Sequence, residues 1–263
     1  MCLLLFAYNA HPKYKLILAA NRDEFYDRPA APARFWEDAP GILAGRDLRL
    51  GGTWLGVTRE GRLAAVTNYR DPGTFRNAAK SRGILVAEFL KGKASADAYL
   101  QRVEKDRDAY NPFNLIAGDA DALFWLSNRA EGVRRISPGI HGLSNRLLDT
   151  PWPKVRRGIR LFADALETGE TQLEKRLFSL LTDTVTPSDA ELPDTGVGLD
   201  WERILSSIFI QSPAYGTRSS TVVLMGYGGR IVFAEQTFHA SGAFIRKGPF
   251  RRFAFGISDR TGS

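Results

Sequence analysis

Short apolar runs set the opening pattern. Cys2–Tyr8 and residues 15–20 are too brief for amphipathic helices and read as strands. The loop between them carries Asn9, His11 and Pro12. Residues 53–58 and 62–68 make a second such pair around Arg59-Glu60-Gly61, with glycine in the turn. The period then lengthens. Residues 81–90 and 95–110 read as helices, the second capped by Ser95 with Tyr99, Leu100 and Val103 on one face. Strands are expected again at Phe113–Gly118, 122–127, 133–136 and 140–144. Residues 152–167 carry a helical stripe of Val155, Ile159, Phe162 and Leu166. Residues 171–181 carry another of Leu173, Leu177, Leu180 and Leu181, which is core packing. Residues 186–199 are rich in Pro, Gly, Asp and Thr and read as an exposed loop. Strands at 219–225 and 230–235 close the pattern.

Strands therefore cluster, with helices between the clusters rather than in strict alternation. That argues for an α+β layered fold and against a doubly wound parallel sheet. No linker or internal repeat divides the chain, so one domain over residues 1–263 is expected.

Composition narrows the class. The 263 residues are 44% hydrophobic and 25% charged, which is globular rather than disordered. A single cysteine excludes an internal disulfide framework and suits a reducing compartment. No early apolar run approaches the roughly 20 residues of a membrane span, and no secretory leader pattern precedes it. A cytoplasmic protein is expected. The formal charge is +7, and part of the excess sits in a basic tail over residues 246–263, with Arg246, Lys247, Arg251, Arg252 and Arg260 against Asp259. No motif for nucleic acid accompanies it. His11, His141 and His239 lack metal-ligand spacing, and Gly226-Tyr227-Gly228-Gly229 is a hairpin turn rather than a phosphate loop.

The chemistry centres on Cys2. Removal of Met1 would leave a thiol and a free α-amine on one residue, and an amine titrating near ~7.7–8.0 can act as a base. If Tyr8 pairs with Lys15 in the first hairpin, Cys2 lies opposite Asn21. The run Asn21-Arg22-Asp23-Glu24 then arrives beside the amino terminus. A carboxylate such as Asp23 can hold the amine, and a guanidinium such as Arg22 can favour the thiolate.

These residues also carry a resemblance. Met1-Cys2, Ala20-Asn21-Arg22-Asp23-Glu24-Phe25, Gly51-Gly52-Thr53-Trp54-Leu55-Gly56, Thr67-Asn68-Tyr69-Arg70-Asp71-Pro72, Gly142-Leu143-Ser144-Asn145 and Tyr215-Gly216-Thr217-Arg218-Ser219-Ser220-Thr221 occur in that order. Together they resemble the NRDE family, also called the transport-and-Golgi-organisation family, over residues 1 to about 235. The resemblance implies a four-layer αββα sandwich of the N-terminal-nucleophile hydrolase type. A more distant similarity is to the penicillin V acylase and bile salt hydrolase group. Carried over by motif, it implies Cys2 as nucleophile, Asp23 as orienting carboxylate, Asn68 as oxyanion donor, and Asn145 and Arg218 as further site residues. Those hydrolases carry an arginine ahead of the strand-end asparagine. Here Ala20 precedes Asn21, and the basic residue follows at Arg22.

Two functions are expected from this reading. One is a cysteine amidohydrolase or thioesterase on a small acylated substrate, without a required cofactor or metal. The other is a carrier of haem or of acyl-CoA and other lipid-derived ligands in the same pocket. Asn21, Arg22, Glu24 and Arg218 are the expected ligand contacts, with Arg218 meeting an anionic group.

Overall fold

Alternation along β1 (Cys2–Tyr8) sorts its side chains into two cores. Leu4, Phe6 and Tyr8 pack between two sheets, whereas Leu3, Leu5 and Ala7 pack beneath helices. The computed structural model describes residues 2–119, 122–241 and 244–258. Its first sheet is six-stranded and antiparallel. The order is β10 (Gly139–Leu143), β1, β2 (Tyr14–Phe25), β11 (Tyr215–Gly226), β12 (Arg230–Ser241), β13 (Phe244–Gly256). The second sheet runs β3 (Ala30–Trp36), β4 (Ala39–Asp47), β5 (Leu55–Thr58), β6 (Leu63–Asn68), β7 (Phe113–Gly118), β8 (Leu123–Ser127), β9 (Arg134–Arg135).

The inner core joins Leu4, Phe6, Leu16 and Leu18 of the first sheet to Leu43, Val57, Ile116 and Trp125 of the second. Helices α1 (Arg82–Lys91) and α2 (Ala96–Lys105) cover the outer face of the second sheet. Helices α3 (Pro153–Leu166) and α4 (Glu170–Leu180) cover the first, and a short α5 (Leu199–Ile204) follows. The layers are αββα, as expected. Among the described residues no helix is long and apolar enough to cross a membrane.

Four points of that reading need correction. The first hairpin pairs Tyr8 with Leu16 and Cys2 with Arg22, one residue from the expected register. The turn is one residue longer than assumed, because Asn9 takes a left-handed conformation and its N–H bonds Lys15 O at 2.8 Å. Strand β2 also runs to Phe25 instead of stopping at residue 20, so residues 21–24 form its end. Strands β3 and β4 were not expected, since small residues and Pro32 hide their alternation. Finally, the basic stretch is no tail up to Gly256. It forms β13, an edge strand in which Phe253 and Phe255 pack against the inner core while Arg252 reaches Glu174 of α4 at 3.0 Å. Cationic side chains are a common guard on an exposed strand edge. Asp259 and Arg260 lie outside the described residues.

Candidate active site

Opposed residues of an antiparallel pair point to the same face. The observed register therefore puts Arg22, not Asn21, beside the Cys2 thiol on the side between the sheets. The same row continues to Ser219 on β11 and Thr237 on β12. The Arg22 guanidinium lies 4.4 Å from the centroid of the Trp54 ring and 4.0 Å from Glu24, which also stands 3.9 Å from Arg28. Trp54 reaches under Arg22 only because position 45 is glycine. A Cβ there would stand 2.2 Å from the indole.

Arg218 sits where the β2–β11 ladder shifts register between Thr217 and Ser219. Such a bulge re-aims a side chain. Its Nη1 donates to the carbonyls of Phe25 at 2.8 Å and Arg28 at 3.0 Å, so the guanidinium clamps the chain leaving β2. Arg218 also lines a cavity of about 170 Å³ with Arg22, Trp54, Ser219, Glu235 and Phe238. Arg22 is thus shared between the thiol and this cavity.

Asn21 and Asp23 point the other way. Asn21 is buried; its Nδ2 donates to Leu181 O and Ile208 O, both at 2.8 Å, and its Oδ1 accepts from Ser220 Oγ at 2.6 Å. Those contacts occupy its carboxamide away from the cavity. Asp23 accepts from Thr217 Oγ1 at 2.8 Å and is also buried. Lys154, the second residue of α3, is buried near it, and its Nζ has no hydrogen-bond partner among the described residues. Beyond lies the buried Arg70–Glu202 pair at 2.5 Å.

A third group ties Cys2 to the second sheet. Ser144 Oγ donates to Cys2 O at 3.4 Å and meets Asn145 Oδ1 at 3.2 Å. Asn145 Nδ2 donates to Asn68 O at 2.9 Å, and Thr67 Oγ1 donates to Ser144 O at 2.7 Å. Asn68 ends β6, half-buried, and its own carboxamide makes no hydrogen bond among the described residues. Asn145 thus fixes the backbone that carries Asn68.

Burial governs the electrostatics. It pushes the Cys2 thiol up, Asp23 adding to the rise and Arg22 opposing it. The Asp23 carboxyl is also raised by burial, against Lys154 and Thr217. Lys154 is pulled down to about 8 by burial, with Asp23 opposing. The thiol is therefore held protonated near neutrality and needs a base to react. Met1, whose removal would expose the α-amine, lies outside the described residues.

Among the expected residues, the structure groups Cys2 with Arg22, Arg22 with Arg218, and Cys2 with Asn145 and Asn68 through Ser144. Glu24 stands at the rim beside Arg22. Lys154, Glu202 and Glu235 were missed. Only Glu235 left a trace, as a lone acid in phase with the inward-facing Ile231 and Phe233. Among the described residues no cluster could hold a metal ion.

The chain is similar in overall structure to the Caenorhabditis elegans ortholog of an N-acylethanolamine-hydrolyzing acid amidase. The TM-score is 0.46 at 12% identity, covering 85% of this chain and 92% of that one. It is likewise similar to a mutant conjugated bile acid hydrolase from Clostridium perfringens, with a TM-score of 0.45 at 7% identity, covering 100% and 99%. In sequence it is 41% identical to the Transport and Golgi organization protein 2 homolog of Bos taurus, across 92% of this chain and 94% of that one. It is 38% identical to the Homo sapiens homolog, across 90% and 93%. The Drosophila melanogaster protein is 30% identical across 90% and 92%. The family model described as Transport and Golgi organisation 2 matches residues 1–240, and the chain therefore belongs to that family.

Proposed function

We propose that the chain is a cysteine amidohydrolase or thioesterase acting on a small acylated compound, with Cys2 as nucleophile once Met1 is removed. The observation that supports this best is the placing of Cys2 between Arg22, at the mouth of a cavity, and the network through Ser144 and Asn145 to Asn68. In the proposed reaction the α-amine takes the thiol proton and the sulfur attacks the acyl carbon. The free carboxamide of Asn68 donates to the resulting oxyanion, which is worth about 3–4 kcal/mol in comparable sites. The proton passes to the departing amine or thiol. Water then hydrolyses the acyl-cysteine. Asp23 holds the amine in place. A lone thiol suits the proposed cytoplasmic setting.

The raised thiol favours a second reading, in which acyl compounds are bound and carried without turnover. A cavity of about 170 Å³ is below the ~300–1,000 Å³ usual for ligand sites. It suits a short acyl chain and does not fit a haem macrocycle. Intact-mass measurement after incubation with an acyl thioester, with release of free thiol followed in parallel, separates the two. Met1-free protein acylated at Cys2 with multiple turnovers supports the hydrolase. Stoichiometric binding that survives Cys2→Ala, with nothing released, supports the carrier. Retention of Met1 together with slow, unactivated alkylation of Cys2 would rule out the hydrolase.

A further inference from the structure

Both ring nitrogens of His141 face acceptors. The residue lies on β10 opposite Phe6 of β1, and the two rings stack with centroids 5.2 Å apart. His141 Nδ1 stands 2.8 Å from Asp149 Oδ2, and Nε2 stands 2.9 Å from the carbonyl oxygen of Ser137. A neutral imidazole has one N–H and would turn a lone pair on one of these oxygens. Only the imidazolium donates to both. Asp149 is fully used as well. Its Oδ1 accepts from Gly142 N at 2.8 Å, and its own N–H donates to Gly142 O at 2.8 Å. Three bonds from one residue therefore close the loop over residues 142–149. Asp149 makes them at φ 59°, a left-handed conformation in which Asp and Asn are favoured over most residues.

Ser144 and Asn145 lie inside this loop, and they carry the bonds to Cys2 O and Asn68 O. Arg70 N donates to Asn145 O and Asn114 Nδ2 donates to Arg146 O, both at 2.8 Å. The loop thus leaves β10, bonds the second sheet, and is returned to β10 by Asp149. Around the imidazole, which is 15% exposed, β1 presents Phe6, and α3 presents the apolar Val155 and Ile159 to the adjacent Gly142. The bond to Asp149 holds the imidazole above its ordinary value, with burial opposing and Ser137 O assisting. Asp149 is the one charged group acting on it among the described residues. We infer that His141 is a positioning residue: as the imidazolium it clasps the loop through Asp149 and keeps Asn145 on the backbone of Asn68, and loss of its proton loosens that hold. The clasp is complete at low pH and is lost as pH rises through the folded titration. Its effect on turnover rests on the hydrolase reading, whereas the clasp itself does not.

Imidazole proton–nitrogen correlation spectra of the full chain across pH test the clasp without any chemistry. At about pH 7 His141 should still carry both ring protons in most molecules, and it should titrate above His11, whose imidazole burial pulls down. Asp149→Asn suits the left-handed backbone and should fold, and it should lower the His141 midpoint by about one unit or more. Amide exchange, corrected for its intrinsic pH dependence, reads the loop. Protection of the Asp149 and Arg70 N–H groups, which bond Gly142 O and Asn145 O, should fall a few-fold as His141 loses its proton. His141→Gln keeps one donor for Asp149 but cannot titrate, so that fall should vanish. If the hydrolase reading holds, kcat for an acyl thioester should drop a few-fold over the same interval relative to His141→Gln, with KM little changed. A His141 midpoint at or below that of His11, no change of midpoint in Asp149→Asn, or exchange that varies alike in parent and His141→Gln would each overturn the clasp. Identical kcat profiles in the two chains would overturn the positioning role. Titration and exchange as stated, with no thioester turned over, would sink the hydrolase reading and leave the clasp standing.

Discussion

The end of β2 presents two unlike faces. Toward the helices, Asn21 has its carboxamide filled by Leu181, Ile208 and Ser220, and Asp23, Lys154, Arg70 and Glu202 form a buried charged layer. Toward the second sheet, Arg22 rests on Trp54 beside a cavity of about 170 Å³. Four consecutive residues thus divide between a close-packed charged layer and the border of a cavity. The difference teaches that polarity and burial do not by themselves mark function here. Buried atoms without a hydrogen-bond partner among the described residues occur on both, Arg70 Nε and Lys154 Nζ on one and Arg218 Nε on the other; what separates the faces is room, about 10 Å³ beside the charged layer against about 170 Å³ beside Arg22.

The sharpest break would come at Cys2. Cys2→Ala should lower turnover of an acyl thioester by about 10³-fold or more, as loss of a nucleophile does elsewhere, while leaving the urea midpoint near that of the parent. Steady-state kinetics beside denaturation decide it.

Glu202→Ala, on the close-packed side, should do the reverse. Removing one partner of the Arg70–Glu202 pair strands a buried guanidinium and should cost about 3–5 kcal/mol in urea unfolding. A loss below about 1 kcal/mol would show that water already reaches this layer.

Glu235 gives the comparison a pH axis. Its carboxyl titrates near 7 when folded against an ordinary 4.5. Between those values the folded chain holds a proton that the unfolded chain has lost, so stability falls as pH rises through that window. Glu235→Gln should remove the fall and stabilise the protein at pH 8 by up to about 3 kcal/mol. Parallel melting curves at pH 5 and pH 8 read this out, and an equal Tm difference at both would count against it.

Neighbouring substitutions should then separate cleanly. Asn21→Ala leaves two carbonyls and a hydroxyl short of a partner and should cost about 2–3 kcal/mol with ligand binding in the cavity unchanged. Arg22→Ala should weaken ligand binding and change stability by only about 1 kcal/mol, the scale of its contact with Trp54. Matching effects from both would erase the distinction between the faces. The smallest effect is expected from Gly45→Ala. The added methyl must displace the Trp54 indole, giving a few-fold loss of binding with the fold retained. Trp54 fluorescence should shift with it.

Much was legible in the chain itself. The short apolar run Cys2–Tyr8 and the 3.6-residue stripes of α3 and α4 gave element type, because each matches the positions that must be buried, whereas the αββα layer order came from the family resemblance. The ordered motifs around Cys2, Asn21-Arg22-Asp23-Glu24, Asn68, Asn145 and Arg218 marked the neighbourhood of the site. Strands β3 and β13 were lost because proline and adjacent pairs of basic residues break a period of two.

What the sequence settled was composition at each strand end: a thiol, a basic-acidic quartet, asparagines and an arginine. What tertiary structure decided was the side each one faces. A one-residue change of register turns a strand's side chains to opposite faces, and only the closed turn at Asn9 made Arg22 rather than Asn21 the neighbour of Cys2. Likewise, only packing of β3 against the first sheet joined Ala33 to Glu235, 202 residues apart in the chain. Long-range pairs of that kind leave no local periodicity, because the energy that fixes them comes from burial between layers and not from neighbours along the chain.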